Sequence, residues 1–382
     1  MRILHIIGTL DPAAGGPTEW VRAQIDYAPE ATSFEVVTLD DPSSPFLCEL
    51  PFPVHGMGPV STTYGYTPKL LPWLIANRNR FDGVVVNGLW QYCGKAAHTA
   101  FFGHIPYLVF THGMLDPYFK RVSLLKHWKK MAYWYPVEYR VLRDAHRVLF
   151  TTELEDELAK KSFLRHSWNA AIVPIGTVLP EGDTSNYLRA FYELYPRVES
   201  KRFLLFLGRI HRKKGCDLLI DAFSKVAADD SELHLVIAGP DQHGWQATLE
   251  ARAQGLDIAE RVHWPGMLMG TAKWGAFLAS EAFVLPSHQE NFGVAVAEAL
   301  ACGKPALISD QVNISSEIQE DGAGYVEHDT LEGTVSLLKR WISTPPDMRT
   351  KMAEQAKKTF HARYDMRVNA RVLIQIFEEA VL

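Results

Sequence analysis

The sequence predicts an α/β chain built from two doubly wound domains in series. Short apolar, β-branched runs alternate with helix-period segments along all 382 residues. The strand-like runs are continuously apolar rather than alternating, as in parallel sheets covered on both faces. A stretch rich in Pro, Gly and small polar residues, Val178-Leu179-Pro180-Glu181-Gly182-Asp183-Thr184-Ser185, interrupts the series near its middle. The length is long for one hydrophobic core and ordinary for two.

The elements follow in order. In the first half the strand candidates are Ile3–Ile7, Phe34–Leu39, Gly83–Asn87, Tyr107–Thr111, Arg147–Thr151 and Ala171–Pro174. In the second half they are Phe203–Leu207, Leu233–Ala238, Arg261–Trp264, Ala282–Leu285 and Ala306–Ser309. The acidic run Glu153-Leu154-Glu155-Asp156-Glu157 reads as a helix start, with Thr152 and Glu155 as a capping box. Helical periods run from Pro346 to Phe360 and from Asp365 to Leu382. In the latter, Asp365 is the N-cap and Val368, Leu373, Ile376 and Phe377 form the apolar stripe. This places the domains at 1–180 and 181–362, with a final helix over 363–382.

Composition narrows the class. An apolar share of 47% and a charged share of 22% belong to soluble globular chains. A formal net charge of −5 argues against a nucleic-acid binder, which would be basic. Cys48, Cys93, Cys216 and Cys302 show no C-x-x-C spacing, so neither a disulfide frame nor a zinc site is expected. The apolar run at Met1–Gly8 is too short for a signal peptide and reads as the first strand. No apolar run approaches the length of a membrane span. The expected location is cytoplasmic. One stretch, Tyr118-Phe119-Lys120-Arg121 with Lys126-His127-Trp128-Lys129-Lys130-Met131-Ala132-Tyr133-Trp134-Tyr135, interleaves bases with aromatics. Such a stretch suits an anionic membrane surface on the inner face of the cell membrane; it equally suits a surface helix that turns its Trp and Tyr to the core.

Four segments carry candidate chemistry. The first follows the apolar run Phe283-Val284-Leu285-Pro286. It is Ser287-His288-Gln289-Glu290-Asn291-Phe292-Gly293-Val294-Ala295-Val296-Ala297-Glu298, with a helix expected from Phe292 to Ala301, stopped by Gly303 and Pro305. Two carboxylates, Glu290 and Glu298, then bracket a helix N-terminus, whose free N–H groups and dipole attract phosphate. Phe292 to Glu298 would rise about 9 Å. The alanines there also suit simple close helix packing. The second segment, Gly208-Arg209-Ile210-His211-Arg212-Lys213-Lys214-Gly215, sets a guanidinium fork and a point charge in a strand-to-helix loop, as a diphosphate requires. A solvated basic loop would look the same. The third, Gly8-Thr9-Leu10-Asp11-Pro12-Ala13-Ala14-Gly15-Gly16-Pro17-Thr18, brings Gly15 and Gly16 to a helix start, where backbone can approach a ligand closely. The fourth, Thr111-His112-Gly113-Met114-Leu115-Asp116, sets His112 at a strand end, a place also common for structural histidines.

Together these segments resemble the retaining glycosyltransferases of family 4, which have the GT-B fold. Glu290, Phe292, Gly293 and Glu298 match E-x-F-G-x(4)-E. Arg209 and Lys214 match G-R-x(4)-K-G, and His112-Gly113 matches the H-G motif. The resemblance implies two Rossmann-like domains facing a cleft, an acceptor-binding one first and a donor-binding one second, with the last helix crossing back to the first. It implies that Arg209 and Lys214 grip the donor diphosphate and that Glu290, Asn291 and the backbone of Phe292, Gly293 and Val294 hold the sugar. Glu298 would accept from the ribose hydroxyls. His112 would support the positive charge at the anomeric carbon, and Gly15 and Gly16 would approach donor and acceptor. Gly239, Met267 and Leu268 fall on loops that hold the base in the family. Asp116 is a candidate for the acceptor hydroxyl. The family's P-N-G-[VI]-D is here Pro174-Ile175-Gly176-Thr177-Val178, so the polar roles of its Asn and Asp are missing. No cofactor and no metal are expected, since D-x-D is absent. The partners implied are a nucleotide-sugar, first of all UDP-glucose on family frequency, and a saccharide or lipid-linked glycan. A nucleotide-sugar epimerase or a non-catalytic binder on the same scaffold would share these features. An NAD-dependent Rossmann enzyme is disfavoured, because the first turn lacks G-x-G-x-x-G.

Overall fold

A computed structural model of the chain describes residues 1–117, 120, 124–241 and 244–381. The chain forms two compact units. One holds Met1–Ile175 and the segment from Met366 on; the other is Gly176–Asp365.

The first unit is built on a parallel sheet with strand order β3-β2-β1-β4-β5-β6-β7. The strands are β1 (Arg2–Ile7), β2 (Ser33–Thr38), β3 (Val54–Gly56), β4 (Gly83–Asn87), β5 (Tyr107–Phe110), β6 (Arg147–Phe150) and β7 (Ala170–Ile172). Neighbouring residues on a strand point to opposite faces. Val84, Val86, Tyr107 and Val109 enter one core, while Val85, Leu108 and Phe110 enter the other. Burial on both faces explains the unbroken apolar runs.

The last helix, Met366–Val381, completes this unit. Leu373, Ile374 and Phe377 join the second core, and the Gln24 amide donates to the Ala370 carbonyl at 2.7 Å. The Phe377 ring lies where a Cβ at Gly83 would stand, which explains that glycine at the head of a central strand. The expected apolar stripe needs one correction. Val368 is 56% exposed, and the buried face is carried by Ala370, Leu373, Ile374, Ile376 and Phe377.

The second unit repeats the plan with strand order β10-β9-β8-β11-β12-β13. Its strands are β8 (Arg202–Leu207), β9 (Leu233–Ala238), β10 (Val262–Gly266), β11 (Ala282–Leu285), β12 (Ala306–Ser309) and β13 (Gly324–Glu327). In both sheets the order reverses beside the first strand, which is the switch point of a doubly wound fold.

Two strands escape the sequence pattern. β3 is only three residues long and β13 only four, and each lies at a sheet edge with partly exposed side chains. Edge strands need no continuous apolar run. Among the described residues no helix is long and apolar enough to cross a membrane.

Of the basic aromatic stretch, Tyr118, Phe119 and Arg121 lie outside the described residues. Within the rest, Trp134 is fully buried and the Tyr133 hydroxyl donates to that of Tyr64 at 3.1 Å. Trp128 is 70% exposed.

Candidate active site

In the first unit the predicted residues gather at the C-terminal ends of the strands, where doubly wound folds bind ligands. Gly15 caps the helix Gly16–Asp26, which begins one residue ahead of the expected Pro17-Thr18. A side chain at Gly15 or Gly16 would meet nothing within 4 Å. Packing therefore does not demand glycine at Gly16, and the backbone there is open to a ligand.

His112 follows β5 with φ of 46°, in the left-handed region that few side chains adopt. Its Nε2 lies 3.2 Å from Asn87 Oδ1, and Asn87 Nδ2 lies 3.2 Å from His5 Nδ1. The same Nδ2 faces the carbonyls of Ile6 and Val85. Facing those two carbonyls, that end of the amide must be the nitrogen. The Asn87 oxygen then accepts from His112 Nε2–H, which leaves His112 Nδ1 as the lone-pair nitrogen. The ring packs against Phe110, with centroids 4.1 Å apart, and against the edge of Trp20 at 5.7 Å. Burial, and to a lesser extent His5, pushes the His112 pKa down to about 3. The imidazole is neutral at physiological pH.

Glu155 holds this turn. Thr152 caps its helix as expected, accepting from the Glu155 backbone N–H at 3.1 Å. The Glu155 carboxylate, however, does not complete a capping box. It is buried, and it accepts from Thr111 Oγ1, Gly113 N, Thr151 N and Thr151 Oγ1, each at 2.7 Å. Two of the four donors flank His112, so the carboxylate fixes the strained turn. Glu155→Gln retains only two of these bonds, because the amide nitrogen cannot accept. It is expected to cost about 3 kcal/mol and Glu155→Ala more. Urea unfolding checks this, and an unchanged midpoint in the Gln variant would remove the role. Asp116 sits in the same turn, its N–H donating to the Gly113 carbonyl at 3.1 Å.

In the second unit the strand ends are tied together. Gly208 after β8 donates to the Ala238 carbonyl, and Gly239 after β9 donates to the Gly266 carbonyl at 2.8 Å. At Gly239, with φ of 145°, a Cβ would run into the Gly208 carbonyl, so this strand-end approach needs glycine. Beyond Gly266, Met267 is 59% exposed and Leu268 is buried.

The Arg209–Gly215 loop is bound to the loop after β11. The Lys213 carbonyl accepts from His288 N at 2.8 Å and from Ser287 Oγ at 2.9 Å. That junction brings the Lys214 ammonium onto the Glu290 carboxylate. Burial, with Lys213 and Arg209 nearby, pushes the Lys214 pKa down to about 7. The Glu290 carboxylate in contact with it favours the charged form.

The helix after Glu290 starts later than expected, at Val294, and runs to Ala301. Gly293, with φ of 84°, is its N-cap, and the side chain of Phe292 leaves the helical path to pack edge-on against Tyr364 at 5.5 Å. Phe292 is 3% exposed, so its side chain is closed to a ligand. Asn291 is half-buried in the turn and Val294 is exposed. Glu298 lies about 6 Å along the helix from Val294. It is buried and paired with Lys273 at 2.6 Å, a lysine from the helix Gly270–Ala279. Each glutamate of the motif thus carries a lysine from another element.

Asn87, His5, Trp20, Glu155 and Lys273 were not among the residues predicted. Asn87 had a readable signal, a polar residue ending the apolar run Gly83–Val86. Lys273 had none.

Residues 194–359 match the family described as glycosyl transferases group 1, and residues 15–176 match the glycosyl transferase 4-like domain. The chain is similar to the alpha-D-kanosaminyltransferase of Streptomyces kanamyceticus, 23% identical over 86% of this chain and 87% of that protein. It is 33% identical over 114 residues to the mannosylfructose-phosphate synthase of Agrobacterium fabrum, covering 28% of this chain and 25% of that protein, so it spans about a quarter of that relative. Its fold is that of Anabaena HepE in complex with UDP-glucose, with a TM-score of 0.73 at 17% identity over 99% of each chain. With both halves matched in order and the fold shared from end to end, the chain belongs to the group 1 glycosyltransferases of GT-B fold.

Proposed function

We propose that the protein is a retaining, metal-independent glycosyltransferase. It moves a hexose from a nucleotide-sugar, UDP-glucose first, to a hydroxyl of a glycan or lipid-linked saccharide in bacterial polysaccharide assembly. The observation that carries this reading is the cluster of Arg209, Lys214 and Glu290 beside the N-terminus of the helix Val294–Ala301, with Glu298 on the same helix. A nucleoside diphosphate leaving group needs cations and free N–H groups, while a sugar and a ribose need acceptors for their hydroxyls. The cluster supplies both. The names of relatives support the class, and the HepE complex holds the proposed donor.

In the proposed reaction the bond from C1 to the phosphate oxygen breaks, and its electron pair leaves with the diphosphate. Arg209, Lys214 and the helix end take up the growing negative charge. The acceptor oxygen bonds to C1 on the face just vacated, and its proton passes to the departing phosphate oxygen. His112 is neutral and so does not repel the positive charge that develops at C1. Glu290 accepts from the sugar hydroxyls and Glu298 from the ribose. Recruitment to an anionic membrane surface through the basic aromatic stretch is part of the same proposal, with Trp128 and Tyr135 as its exposed aromatics among the described residues.

Thermal shift against UDP-, GDP- and ADP-sugars tests the donor. UDP-glucose is expected to raise the midpoint most. No shift with any nucleotide-sugar would overturn the reading. An epimerised sugar formed without acceptor would replace it with the epimerase.

A further inference from the structure

The second unit holds a cavity of about 840 Å³ away from the strand ends that carry Arg209 and Glu290. That is the size of a small-molecule site. It lies along the starts of β9 and β10. Tyr195, Arg197 and Lys201 line it from the segment before β8, His234 from β9, and His263 and Trp264 from β10.

The charges here differ from those nearby. Arg202 pairs with Glu281, Arg252 pairs with Asp221, and Arg261 donates to the carbonyls of Asp230 and Ser231. Among the described residues, Arg197 and Lys201 have no carboxylate partner. Both stand close enough to His263 to hold its proton affinity down.

His263 is buried, and its Nε2 lies 3.0 Å from His234 Nδ1. Two neutral rings share two N–H groups between them. One lies in their mutual bond, and the other is on an outer nitrogen. A third proton would make both outer nitrogens donors. Glu250, which accepts from Gln246 at 2.8 Å, and Glu260 line the same cavity. The cavity wall therefore carries cations, carboxylates and the rings of Tyr195 and Trp264 together.

We propose that this cavity binds a sugar phosphate. The phosphate sits on Arg197, Lys201 and the histidine pair, and the sugar hydroxyls donate to Glu250 and Glu260. A phosphate needs paired cations and N–H donors, hydroxyls need carboxylate acceptors, and a sugar face packs on aromatic rings. Burial and the neighbouring cations now keep both histidines neutral, His263 at about 4, against the weaker opposite pull of Glu232 on His234. A bound dianion reverses that balance, so the pair takes up a proton on binding.

The test is calorimetry with glucose 6-phosphate on the full chain saturated with UDP, which removes any competition at the donor site. Binding is expected to weaken about tenfold or more in the double variant Arg197→Gln/Lys201→Gln. It should tighten from about pH 8 to about pH 7, where the phosphate is still mostly dianionic, with proton uptake visible across buffers of different ionisation heat. Glucose alone should not bind, and inorganic phosphate should bind more weakly. Equal affinity in wild type and double variant, or no heat from glucose 6-phosphate at millimolar concentration, overturns the proposal. Equal affinity for inorganic phosphate overturns its sugar half.

Discussion

Glu290→Gln is expected to lower sugar transfer about a thousandfold while the fold persists, a loss of about 4 kcal/mol at the transition state. Glu290 lies beyond the end of β11, and its backbone is bonded to Gln311 and Asn313 in the turn after β12, which fixes where its carboxylate stands. It is also the carboxylate that pairs with Lys214. Burial with Lys213 and Arg209 already lowers Lys214 to about 7, and loss of the Glu290 charge lowers it further. The sign follows from the ammonium being the form that binds diphosphate. In the variant that form dominates only below about pH 7 and is lost as the pH rises, so UDP affinity should fall with rising pH, by at most about tenfold per unit. Turnover assays and UDP titrations at two pH values check both halves. Full activity would refute the catalytic role, and a flat pH profile would refute the coupling.

Arg209→Ala and Lys214→Ala should each weaken UDP binding by about 1.5–3 kcal/mol, roughly ten- to a hundredfold. Arg209→Lys should not restore affinity fully, since a point charge lacks the guanidinium fork. Lys214→Ala carries a second cost, because Glu290 then stands half-buried without its cation. A double-mutant cycle between Lys214 and Glu290 should therefore be non-additive, whereas Arg209 with Glu298 should be close to additive. Calorimetry with UDP measures all of these. Unchanged affinity in both single variants would sink the diphosphate assignment.

The central strands were legible because burial on both faces forces unbroken apolar runs, as in Gly83–Asn87 and Ala282–Leu285. The edge strands β3 and β13 were not, since partial exposure leaves no such mark. The start of the helix Val294–Ala301 was misplaced by two residues. Composition does not reveal that Phe292 turns into the core while Gly293 adopts a left-handed conformation. The capping box at Thr152 and Glu155 was half right: the cap forms, but the acid serves another loop.

The sequence by itself determined the fold class, the order of the motifs and the identity of the charged groups, because strand burial, helix starts and phosphate chemistry each leave a short local pattern. Only the tertiary structure decided the partners: Lys214 on Glu290, Lys273 on Glu298, Asn87 on His112, and Glu155 beneath the His112 turn. Those pairs join residues 25 to 76 positions apart. Parallel crossovers bring them together, and no local pattern records which strand end will lie beside which.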